Sequence, residues 1–155
     1  MMKKLLAVLV AVVIAVGAMV PVLALTGTAS ACENGLTPGY WKNHTEVWDG
    51  SREWDGPLPG AYFDEVFKVV GHRVGDYVAP HKTLLEVLRT GGGQFDALNR
   101  HAVAALLNSY WLDSETSGWD YYSAWHIKTD VHAAYHSGDW ESLKADFEAT
   151  YSWAD

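Results

Sequence analysis

From residue 37 onward, apolar side chains recur at helical spacing in short runs divided by Gly, Pro and Asp. Thr37 is a good N-cap and Pro38 suits a first helical position, so Tyr40 to Trp48 is expected to form a short helix. Residues 49–60 hold three Gly and two Pro and read as an exposed loop. Phe63, Val66, Phe67 and Val70 stand at i, i+3, i+4 and i+7, which predicts an amphipathic helix ended by Gly71. A connector through Gly75 and Pro80 leads to a short helix over Thr83–Leu88, stopped by Gly91, Gly92 and Gly93. The strongest signal follows: Phe95, Leu98, Ala102, Val103, Ala105, Leu106 and Tyr110 keep one broad stripe from Gln94 to about Trp111. This Ala-rich run has no Gly or Pro and is expected to be the central core helix.

Residues 112–128 mix Ser, Gly and aromatics and read as a long loop. Thr129 or Asp130 is expected to cap a helix through Tyr135, broken by Ser137-Gly138-Asp139. Asp139 caps a last helix to about Tyr151, with Leu143, Phe147 and Tyr151 on one face. No βαβ pattern or tandem repeat appears. The expected fold is mainly α: a small single domain of five or six short helices with long aromatic-rich loops.

Ahead of this domain the pattern changes. Lys3 and Lys4 precede an almost wholly apolar stretch, Leu5 to Leu25, and Ala29-Ser30-Ala31 offers a small-residue cleavage pattern. Residues 1–31 therefore read as a secretory signal peptide and residues 32–155 as the domain. An uncleaved N-terminal anchor is the competing reading, because the apolar run nearly reaches bilayer length. Cleavage after Ala31 makes Cys32 the first residue, where a lipid thioether would tether the domain to a membrane. Ala29 stands where a lipoprotein signal usually has a large aliphatic residue. Cys32 is the only cysteine, so an exported chain has no internal disulfide and the thiol is lipidated, paired with another chain or free.

Charge narrows the partners. Without residues 1–31, nine Lys and Arg face nineteen Asp and Glu, a net of −10. That balance, with no basic run, argues against nucleic acid and against adsorption to anionic lipid; a membrane is reached only through the N-terminal segment or a lipidated Cys32.

Thr37-Pro38-Gly39-Tyr40-Trp41-Lys42-Asn43-His44 is the densest motif. The chain resembles a family of exported bacterial and archaeal proteins marked by a Thr-x-Gly-Tyr-Trp-Lys-Asn-His segment. The resemblance extends through Thr83–Leu88, Leu98–Asn108 and Ser137-Gly138-Asp139. It implies a secreted or cell-envelope surface domain and carries over no catalytic residue. In an architectural role, Tyr40 and Trp41 pack on the Ala-rich helix, each needing one partner for its polar tip. In a binding role, Tyr40, Trp41, Asn43 and His44 face a ligand, where an aromatic platform and amide donors suit a sugar.

Candidate chemistry lies in the seven histidines. His132 and His136 stand i, i+4 on a predicted helix, the two-ligand spacing of many metal-binding helices. Asp130 and His126 complete a set for zinc or copper if the preceding loop folds back. Residues 133–135 are Ala-Ala-Tyr, so the glutamate of the zinc-protease arrangement is missing. His101 reads as a hydrogen-bonded structural residue of the core helix, and His44, His72 and His81 sit where no periodic element places them. There is no Gly-x-Ser-x-Gly elbow, phosphate loop or haem-attachment motif. The Trp surplus is the remaining signal. Trp48, Trp54, Trp119, Trp125 and Trp140 fall in or beside predicted loops, either capping a small core or forming a surface that binds protein or glycan. The leading expectation is a non-catalytic surface module, without cofactor, that contacts a protein, a glycan or itself. The alternative is a His-based metal-binding protein or metal-dependent hydrolase.

Overall fold

A computed structural model describes residues 35–50, 54–111 and 123–151, all within the unit Cys32–Asp155. The expected signal peptide, Cys32 and Trp119 lie outside the described residues. The fold is mainly α, with six α-helices, one 3-10 turn and a two-stranded antiparallel hairpin among the described residues. None of these helices is long and apolar enough to cross a membrane.

Helix α1, Pro38–Asn43, opens as its sequence demands: Thr37 Oγ accepts from the Tyr40 amide at 3.3 Å, and Pro38 occupies the first turn. It ends sooner than Trp48. The chain leaves helical geometry at His44 and continues as a 3-10 turn, Thr45–Val47. The break turns Trp48 inward, where its Nε1–H donates to the Trp41 carbonyl at 3.2 Å. Helix α2, Phe63–Val66, is a single turn. Lys68 then takes a left-handed φ of 60°, which buries Val69 and leaves Val70 63 % exposed. The i+7 position of the expected stripe is therefore outside the core.

The connector that follows holds β1, Arg73–Val74, and β2, Tyr77–Val78, paired Arg73 with Val78 and Val74 with Tyr77. Such a hairpin is marginal alone. Tyr77 anchors this one: its ring stacks on Phe95 and its hydroxyl donates to Asp96 at 2.8 Å. Helix α3, Leu84–Arg89, begins with a capping box in which Thr83 and Glu86 exchange side-chain and backbone hydrogen bonds. Arg100 secures the glycine loop after it, donating to the carbonyls of Thr90 and Gly92, both at 2.9 Å.

Helix α4, Gln94–Trp111, is central, as its unbroken stripe predicted. Residues Ala102 to Asn108 are all buried, so it is covered on every side by α1, α3, α5, Ala124–Ser137, and α6, Trp140–Ala149. Helix α5 starts well before residue 129. Ser123 Oγ caps it by accepting from the His126 amide, and Ile127, Val131, Ala134 and Tyr135 form its buried stripe. Residues 124–128 are thus helix rather than loop, because Ile127 adds an earlier turn to that stripe. Gly138, at φ 81°, ends α5 and Asp139 caps α6. Gly35 pairs with Tyr151 in a parallel bridge that brings the two ends of the described domain together.

Two buried polar links set relative positions. Asn99 donates to the Tyr77 hydroxyl at 3.0 Å and accepts from the Tyr135 hydroxyl at 3.0 Å, tying the hairpin to α4 and α5. Burial holds both phenols protonated, well above the ordinary tyrosine pKa. Asn108, fully enclosed, accepts from the Leu36 amide and Trp41 Nε1, both at 2.9 Å, and donates to the Leu36 carbonyl at 3.0 Å.

Candidate metal centre

Helix geometry sorts the polar residues of α5 before any chemistry is considered. The stripe Ile127, Val131, Tyr135 faces the core. His132 and His136 each follow a stripe residue, about 100° further round, and share one flank. His126 and Asp130 each precede a stripe residue and share the opposite flank. There Asp130 lines a cleft with Ser137, Asp139 and Asp146, against α6. His126 turns back to the N-cap, its Nδ1 3.1 Å from Ser123 Oγ. The four residues that the sequence offered as one ligand set are thus two pairs on two flanks. Burial raises the Asp130 pKa, the neighbouring His126 opposing and Asp146 adding to the shift.

The hairpin packs on the His132 and His136 flank, and His72, the residue before β1, supplies a third imidazole. His72 Nε2 lies 3.2 Å from His136 Nε2. Ring centroids are 5.2 Å apart for His72 and His132, 4.7 Å for His72 and His136, and 4.6 Å for His132 and His136. One ring nitrogen from each residue falls within 4.8 Å of the others. His72 is held by backbone pairing, its amide donating to Val69 and its carbonyl accepting from Ala79. The Tyr77–Asn99–Tyr135 link fixes the hairpin against α5, which sets the distance from His72 to the helix.

The surroundings of His132 favour its neutral ring. Desolvation lowers the His132 pKa, and His136 and His72 lower it further. Neutral imidazole is the metal-ligating form. The contact between the two Nε2 atoms uses one proton, so one ring donates and the other accepts. Either assignment leaves His72 Nδ1 buried with no hydrogen-bond partner, and that atom is not the one that faces His136. Two ligands held 2.0–2.1 Å from a tetrahedral zinc are about 3.3 Å apart. The observed 3.2 Å between His72 and His136 is close to that spacing, and a His132 ring nitrogen lies within 4.8 Å of both.

The octapeptide divides between core and surface. Trp41, offered by the sequence as a ligand-facing ring, is 0 % exposed and hydrogen-bonded to Asn108. Tyr40 is half-buried over Trp41 and His44, with ring centroids 5.5 and 4.3 Å away. Asn43 and His44 are exposed, and His44 Nδ1 meets Glu46 at 3.1 Å. Much of the Trp surplus is also internal: Trp48 is enclosed, while Trp54 and Trp140 are partly buried against the core. Trp125 is different, 68 % exposed on the first turn of α5.

Two further histidines are structural. His101 packs under Tyr151 and meets Glu148 at 3.2 Å; burial lowers its pKa to about 4 despite that carboxylate. His81 lies flat on Tyr62 and covers buried Asp64, with Nδ1 3.0 Å from Oδ2. His72 is the residue sequence reasoning missed. Its partners are 60 and 64 positions away, and no local spacing signals the contact. No family model, curated protein or solved structure matches the chain.

Proposed function

We propose that this protein is an exported surface module that binds a divalent transition metal, zinc or copper, through His72, His132 and His136. The observation that carries this reading is the convergence of three imidazoles from two elements, with a 3.2 Å nitrogen separation suited to a shared ion. The lowered His132 pKa supports it. The signal-like N-terminal segment and the octapeptide resemblance support the cell exterior as the location.

Metal analysis of protein prepared without a His-tag tests the proposal, with one equivalent of zinc or copper expected. His72→Ala should lose the metal, whereas His126→Ala and Asp130→Ala should keep it. A folded protein that takes up no metal from stoichiometric zinc or copper rejects the proposal.

Contact with a surface protein or a glycan is a second reading, favoured by the exposed Trp125 ring on a predominantly acidic domain.

A further inference from the structure

We infer that the metal held by His72, His132 and His136 keeps one coordination position open and takes a small anion from solution there. This inference rests on the metal-binding proposal and adds the class of ligand the site accepts. Its first ground is the donor count. Among the described residues, three imidazoles converge and no cysteine or carboxylate joins them. Tetrahedral zinc needs a fourth ligand, and three protein donors plus an exchangeable one is the composition of open sites.

Second, the nearby acids are directed elsewhere. Asp130 lies on the opposite flank of α5, lining the cleft with Asp139 and Asp146. Asp96 accepts from the Tyr77 hydroxyl, and Asp64 is covered by His81. The site also lies near the surface: His136 is exposed, and His72 and His132 are only partly covered. A ligand from solution therefore has a way in.

Third, charge sets the kind of ligand. Three neutral imidazoles bring no negative charge, so a divalent ion retains its full +2. An anion bonded to that ion gains attraction at about 2 Å. The opposing net charge of the domain is spread over its surface, and salt screens it beyond about 8–10 Å. The short-range attraction wins, and hydroxide, a carboxylate or a halide is preferred to a neutral ligand.

Cobalt(II) is the probe, since its visible absorption reports coordination number and ligand exchange. The full mature domain is loaded with one equivalent of cobalt and titrated with sodium azide at constant ionic strength. A saturable, single-site change in the cobalt bands is expected, reversed on dialysis. X-ray absorption of the zinc form should show three imidazoles and one further ligand that is not an imidazole. Cobalt bands that ignore azide, or a zinc shell completed by a fourth protein donor, overturn the inference while leaving the metal site standing. Uptake of copper but of neither zinc nor cobalt overturns this inference and leaves the metal site standing; if none of the three is taken up, the metal-binding proposal falls and this inference falls with it.

Discussion

Replacing Asn108 with Ala tests how the octapeptide is joined to the core. The amide accepts from Trp41 Nε1 and from the Leu36 amide, and donates to the Leu36 carbonyl. Asn108 and Trp41 are both 0 % exposed. Asn108→Ala leaves the indole N–H without a partner, at a cost of about 1–3 kcal/mol. Leu36 is only half-buried, so its amide and carbonyl recover water in part and add about 1 kcal/mol. The expected loss is about 2–4 kcal/mol. A domain of this size has a total stability of about 6–18 kcal/mol, so the variant should remain folded at 25 °C. Its midpoint should fall by about 6–16 °C, at roughly 3–4 °C per kcal/mol. Urea unfolding followed by tryptophan fluorescence measures the loss, because Trp41 and Trp48 both report on this region. Trp41→Phe removes the same hydrogen bond from the other side, so the double variant should show a coupling of about 0.5–3 kcal/mol. A loss under about 0.5 kcal/mol with no coupling to Trp41 would refute the reasoning.

Two further predictions complement the metal and azide experiments. His101 has a folded pKa of about 4 against an ordinary value of 6.5, so between those values the unfolded chain binds the extra proton. The stability this confers is present above pH 6.5, is lost as pH falls toward 4, and changes no further below that. The full shift corresponds to about 3 kcal/mol, reduced to about 1–2 kcal/mol because solvent still reaches the ring. Urea midpoints of His101→Gln should show a correspondingly flatter pH profile over this window, and parallel profiles would contradict the burial argument. Trp125→Ala should change stability by less than about 0.5 kcal/mol and remove most of the acrylamide-quenchable fluorescence contributed by α5; unchanged quenching would show that the ring is shielded.

Legibility in the sequence followed the length and regularity of each element. Helix α4 was readable because eighteen residues keep an apolar pattern without a breaker. The starts of α1, α3 and α6 were readable because Thr37, Thr83 and Asp139 each cap within three residues of their own position. The start of α5 was obscured because Ile127 stands among Trp, His and Lys, and its stripe emerges only with Val131 and Tyr135 in place. A hairpin of two-residue strands offers no alternation to detect.

The octapeptide shows the same division. Its helix-start chemistry is local, but the burial of Trp41 depends on Asn108, 67 residues away. The candidate metal centre divides in the same way. Spacing along one helix was enough to pair His132 with His136, since 3.6 residues per turn places i and i+4 on one flank. That same periodicity puts Asp130 on the other flank, although its nearness in sequence suggested a fourth ligand. Only tertiary structure could bring in His72, because the third donor depends on where a short hairpin docks. That docking is set by hydrogen bonds from Asn99 to Tyr77 and Tyr135, contacts between segments distant in the chain.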